Sequence, residues 1–99
     1  MKNNKFKMIG VYMNDMNEFN VVFNTFARAA SQYTGYPISR LNKTAFMTYT
    51  KEVYAFVTTK DKIANNKFNT VFVDNAISNE IIDEFIKPKL IDKMDIYRY

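Results

Sequence analysis

Ninety-nine residues, 47% hydrophobic and 16% aromatic, are enough for one small packed core and too apolar for a disordered chain. The chain has no Cys and no His. This excludes disulfides, thiolate or imidazole metal sites, and Ser–His or Cys–His nucleophilic catalysis. The net charge of +4 keeps a small domain soluble and leans weakly toward acidic partners, because Lys and Arg are spread along the chain.

A metal would need oxygen ligands, hence Mg²⁺-like chemistry at a carboxylate. Only two Gly and two Pro interrupt the chain, so regular elements should dominate a single domain over residues 1–99. Met1 to Lys7 is polar and basic, with no apolar signal core behind it. No run approaches the ~20 apolar residues of a membrane span. These features predict a soluble cytoplasmic protein without a membrane partner.

"FKMIGVYM" at 6–13 is apolar on both faces apart from Lys7, as in a strand buried on both sides. A helix follows to about Tyr33, with Asp15 as N-cap and Glu18 completing a capping-box-like pair. Phe19, Val22, Phe23, Phe26, Ala30 and Tyr33 recur at helical spacing and form its apolar face. Gly35 suits the position after the C-cap, and Pro37 prevents resumption.

Residues 36–44 read as an irregular segment. "AFMTYTKEVYAFVTT" at 45–59 is β-branched and aromatic, and predicts two strands with a turn near Lys51–Glu52. A polar loop over 60–67 leads to the strand "FNTVFVDNA". Ser78 is the expected N-cap of a second helix, with Ile77 stapled onto Ile82. Ile81, Ile82, Phe85 and Ile86 form its inner face, and Glu80, Asp83 and Glu84 favour its N-terminal turns. Pro88 ends this helix at about Lys87. "MDIYRY" forms a last short strand whose final residues are expected to fray. The order β-α-β-β-β-α-β predicts an α/β domain, a central sheet packed by two helices in two or three layers.

"VYAFVTTKDKIANNKFNTVFVDNAISNEIIDEFIKPKL" resembles part of the P-loop ATPase core of phage terminases and related helicases. There a hairpin and polar loop lead to a hydrophobic strand ending in Asp-Glu-Ala, followed by a helix. "KMIGVYMNDMNEFNVVFNTFARAA" is similar to the preceding strand and helix of that core. The resemblance implies that Asp74 holds Mg²⁺ through water. Asn75 stands where those families place the glutamate that activates water, and an amide cannot take that proton. No G-x-x-x-x-G-K-[ST] is present, so the phosphate-cradling loop and its Lys are missing. Autonomous ATP hydrolysis is therefore not expected. A buried strand ending in Asp-Asn also arises simply because these residues favour turns and helix entry.

Three further constellations bear on function. Asp83, Glu84, Asp92 and Asp95 are close in sequence, but Lys87, Lys89 and Lys93 interleave with them, as on a solvated charged face. Arg28, Arg40, Lys43 and Lys51, with Tyr33 and Tyr49, bracket the irregular segment and suit a phosphate backbone and stacked bases. Nine Phe and seven Tyr exceed what one small core hides. Tyr36, Tyr54, Tyr97 and Tyr99 are the candidates for a protein-binding surface. The last strand leaves an open sheet edge that invites pairing with itself or another chain.

The wealth of Asn, Lys, Ile, Phe and Tyr matches AT-rich coding, and in style the chain resembles small proteins of large bacteriophages. The expectation is a non-enzymatic accessory protein, without a cofactor, that binds and modulates or inhibits another protein, host or viral. It would work in the host cytoplasm and has a possible homodimer contact. Nucleic-acid binding around residues 28–51 is the alternative. A degenerate nucleotide-binding remnant at Asp74 is the third reading.

Overall fold

The computed structural model describes residues 6–59, 67–91 and 95–99. Its centre is a six-stranded mixed sheet in the order β2-β3-β4-β1-β5-β6. The strands are β1 (Lys7–Met13), β2 (Ser39–Asn42), β3 (Ala45–Met47), β4 (Glu52–Thr58), β5 (Thr70–Val73) and β6 (Ile96–Arg98). β1 pairs in parallel with β4 on one side and β5 on the other, and β6 extends the sheet in parallel beyond β5. β3 and β2 run antiparallel at the opposite edge. The chain is an α/β domain, as the alternation of apolar runs predicts.

Helix α1 (Phe19–Thr34) carries the chain from β1 toward the β4 side of the sheet. A 3-10 turn (Met16–Glu18) precedes it, and the Asp15 carboxylate accepts from the Asn17 N–H at 2.9 Å. The Glu18 carboxyl lies near Asp74 and Asp15, and among the described residues no hydrogen bond joins it to the Asp15 N–H. At the far end Gly35 adopts φ 80°, a left-handed cap open to glycine, and its N–H donates to Ser31 O. α1 packs Phe23 and Ala30 onto Val11, Met13, Phe46 and Phe56 of the sheet. Phe23 lies 5.0 Å from the Phe56 ring and 5.4 Å from the Phe46 ring.

The connection from β5 to β6 runs in the opposite lateral direction. Two right-handed crossovers must then place their helices on opposite faces. Ile82 and Ile86 accordingly pack with Tyr12, Val57, Phe68, Val71, Val73, Ile77 and Leu90 on the face away from α1. Gly10 on β1 allows this layer its close approach. A Cβ there would lie 3.0 Å from two ring atoms of Phe68, which is fully buried.

The second helical segment departs from a regular helix. The α turn α2 (Asn79–Ile81), capped by Ser78, widens into a π turn (Ile82–Ile86) and tightens into a 3-10 turn (Lys87–Lys89) containing Pro88. Helical structure therefore continues through Pro88 instead of stopping at Lys87. Ile77 and Ile82 share one cluster, as the staple predicts. Phe85 does not join the inner face and is 53% exposed. The under-wound π turn keeps Ile82 and Ile86 aligned while it swings the intervening Phe85 outward.

Two other local expectations change. The segment 36–44 contains strand β2, whose residues are all exposed and hence carry no apolar signal. The chain end is held: Tyr99 N–H donates to Val73 O at 3.0 Å, and Asn75 N–H donates to Tyr99 O at 2.8 Å. The polar loop over 60–67 lies outside the described residues except for Lys67, as do Asp92, Lys93, Met94 and residues 1–5.

Candidate functional site

One α helix cannot cover one face of six strands. A helix is about 10 Å across, and six strands spaced by about 4.8 Å are nearly three times as wide. α1 packs over β3, β4 and β1, and the β5–β6 side of that face receives no second helix among the described residues. A groove of about 360 Å³ opens between α1 and the strands β4 and β5. Its wall is Phe26, Ala29, Ala30, Tyr33 and Thr34 of α1, its floor Tyr54 and Phe72, and Glu52 stands at one end.

The floor extends along the sheet. Phe72 and Tyr97 are directly paired across β5 and β6, with ring centroids 5.6 Å apart. Tyr97 is 53% exposed and Tyr33 is 92% exposed. Phe26 braces the inner side of the groove, 5.3 Å from the Phe72 ring and 5.4 Å from the Tyr99 ring. The surface is thus mostly aromatic and open at both the helix and the sheet edge.

Of the four tyrosines expected on a protein-binding surface, Tyr36 and Tyr97 are exposed. Tyr54 is half-buried, stacked on Phe46 at 4.9 Å, with one edge in the groove floor. Burial, then the Glu52 charge, raises its phenol pKa. Tyr99 is also half-buried, and its hydroxyl donates to Tyr12 O at 3.2 Å. Burial first, and the charges of Asp74 and Glu18 next, push this phenol well above its usual range. Phe26, Ala29 and Phe72 were not among the sequence candidates. Their signal was the strand count, since two helices leave part of a wide sheet bare.

The basic and aromatic set around residues 28–51 is not brought together. Lys43 lies in the turn between β2 and β3, and Lys51 in the turn between β3 and β4, at opposite ends of β3. Arg40 is 4.4 Å above the Phe23 ring and donates to Asn42 O and Lys43 O, so its head is engaged locally. Arg28 is exposed on α1. Tyr49 stacks on Tyr36 at 4.1 Å, leaving each ring one free face at most. Tyr33 belongs to the groove instead.

β1 and β5 are neighbours whose chains leave toward opposite layers. Their C-terminal ends form the crevice where ligands often bind open α/β sheets. Asp15, Glu18 and Asp74 meet there. Asp74 Oδ1 accepts from the Ala76 N–H at 2.8 Å, which shapes the turn into the second helical segment. The neighbouring Asp74 carboxyl raises the Glu18 pKa, followed by desolvation and the Asp15 charge. A hollow of about 220 Å³ nearby is lined by Asn14, Asp15, Met16 and Thr58, and Asp74 is not part of it. Such an acidic rim repels phosphate. Among the described residues, no group of three or more carboxylates is arranged to hold a metal ion.

On the second helical segment, Asp83 pairs with Lys87 at 2.8 Å on the surface. Asp95 is separate from it and accepts from the Thr70 hydroxyl at 2.6 Å. Those acids do not converge on one point, and Asp92 lies outside the described residues. Among the described residues no helix is long and apolar enough to cross a membrane. No family model matches the chain, and no curated protein or solved structure is significantly similar to it.

Proposed function

We propose that the chain is a non-catalytic binding protein that uses the groove between α1 and the β4–β5 floor to hold part of another protein. The observation that carries this reading is the open aromatic groove of about 360 Å³, walled by Tyr33 and floored by Tyr54 and Phe72. Aromatic side chains supply large contact area at little entropic cost and dominate interface energetics. The fitting partner element is an apolar or aromatic side chain with a cationic neighbour directed toward Glu52. The AT-rich style of the sequence supports placing the chain among bacteriophage accessory proteins. On that reading it modulates a host or viral protein in the host cytoplasm.

Site-specific photocrosslinking in cells tests the proposal. A photoreactive amino acid replaces Tyr33 in one variant and Phe85, exposed on the other layer, in a second. The proposal predicts a discrete adduct with another protein from position 33 and none of that mass from position 85. Identical adducts from both positions, or none from position 33, would contradict it.

A further inference from the structure

The two edges of the sheet differ in how their free backbone groups are protected. β2 carries an irregular register between Arg40 and Asn42, and the Arg40 guanidinium closes over Asn42 O and Lys43 O. A bulge and a charge are common means of blocking edge pairing. β6 has no bulge, and the guanidinium of its one charged residue, Arg98, is drawn back onto Asp74 O, Ile77 O and Asn79 Oδ1 of its own subunit, away from the edge. Its register with β5 is regular, aligning Val71 with Ile96, Phe72 with Tyr97 and Val73 with Arg98.

The ladder defines which groups remain free. Val71 N–H donates to Asp95 O, Tyr99 N–H donates to Val73 O, and Asn75 N–H donates to Tyr99 O. Asp95 and Tyr99 therefore face β5, and Tyr97, two residues from each, faces it too. The N–H and C=O groups of Ile96 and Arg98 point the other way, to the open edge. Two donors and two acceptors thus flank Tyr97 symmetrically.

We propose that a second copy of this chain pairs with the β6 edge, antiparallel and centred on Tyr97. A two-fold axis through Tyr97 sets Ile96 opposite Arg98 of the other copy, and Arg98 opposite its Ile96. Each outward N–H then meets an outward C=O, giving four backbone hydrogen bonds from one self-complementary patch. Tyr97 becomes the central non-hydrogen-bonded pair, the position where cross-strand side chains come closest. Its ring already sits beside Phe72, so the aromatic row continues from one subunit into the other.

The charges fit this register. Asp95 lies opposite Tyr99, and Arg98 opposite Ile96, so no like charges oppose each other. The Arg98 guanidinium is also drawn back into its own subunit, donating to Asp74 O, Ile77 O and Asn79 Oδ1. The dimer joins two sheets into one and sets the two grooves side by side on the same face. It does not depend on what either groove holds.

Sedimentation equilibrium over a wide concentration range, with residue-resolved amide exchange, tests the pairing. The expected results are a monomer–dimer equilibrium and slower exchange of the Ile96 and Arg98 amides as concentration rises. Tyr97→Lys and Tyr97→Glu should each be folded by circular dichroism yet monomeric, because like charges then face each other. Mixing the two variants should restore a heterodimer. A wild-type chain that stays monomeric, dimers that persist in both variants, or a mixture that fails to associate would each overturn the proposal. Crosslinking from Tyr33 reads the groove separately, so the two ideas fail independently.

Discussion

The two faces of the sheet are closed in different ways. Opposite α1, a short irregular segment with Phe68 and Leu90 seals a mostly aliphatic layer in which Val71, Val73 and Ile86 are fully buried. On the α1 face a regular 16-residue helix buries an aromatic layer over β3, β4 and β1, and stops short of β6. The two layers are offset along the sheet: the α1 layer reaches Phe46 of β3, and the opposite one reaches Ile96 of β6. The offset leaves Tyr97 exposed on the α1 face beyond the helix.

The largest expected effect sharpens that contrast within one face. Phe23→Ala removes a ring that is 4% exposed and packed by Phe46 and Phe56. It should cost about 3–5 kcal/mol in urea denaturation. Tyr33→Ala, on the same helix but 92% exposed, should change stability by less than about 0.5 kcal/mol. Comparable losses for both would show that Tyr33 is covered and the groove closed.

Gly10→Ala probes the sealed face. The new methyl would press on the ring of fully buried Phe68 at 3.0 Å, and overpacking there should cost about 1–3 kcal/mol. A neutral result would mean the layer is looser than described. Tyr99→Phe probes the boundary between covered and open regions. Loss of the 3.2 Å hydrogen bond to Tyr12 O should cost about 0.5–1.5 kcal/mol, read from the shift in unfolding midpoint.

The smallest effect concerns pH. Asp74, and after it Asp15, raises the folded-state pKa of Glu18 above 4.5, so the folded chain holds that proton longer than the unfolded chain. The contribution is present below the unfolded value and is lost as pH rises through the folded value. Glu18→Gln should therefore be slightly more stable than wild type at neutral pH, with the difference vanishing below about pH 4. A difference that grows on acidification would reverse the assignment.

Much of this fold was legible in the residues. β1 and β5 are continuous apolar runs and α1 has helical periodicity with its Gly35 stop, while the β3–β4 hairpin shows in its β-branched and aromatic residues without an Asn-Gly or Asp-Gly turn. β2 carries no such signal, because "SRLN" lies at an edge and buries nothing. Phe85 was misplaced because a π turn changes which residues share a face, and hydrophobic spacing does not reveal it. Tyr54 and Tyr99 illustrate a different limit. A tyrosine with an apolar body and a polar tip suits a core boundary as well as a surface, and only the packing around Phe26 and Phe46 distinguishes the two. The groove was recognisable only indirectly, through the excess of aromatics and the ratio of strands to helices.

The most direct test of an open aromatic face is NMR of the folded chain with a soluble paramagnetic probe. The account predicts strong attenuation of the ring signals of Tyr33 and Tyr97, with Phe68, Val71 and Ile86 untouched. Shielding of Tyr33 and Tyr97 to the level of Phe68, in dilute monomeric protein, would contradict it.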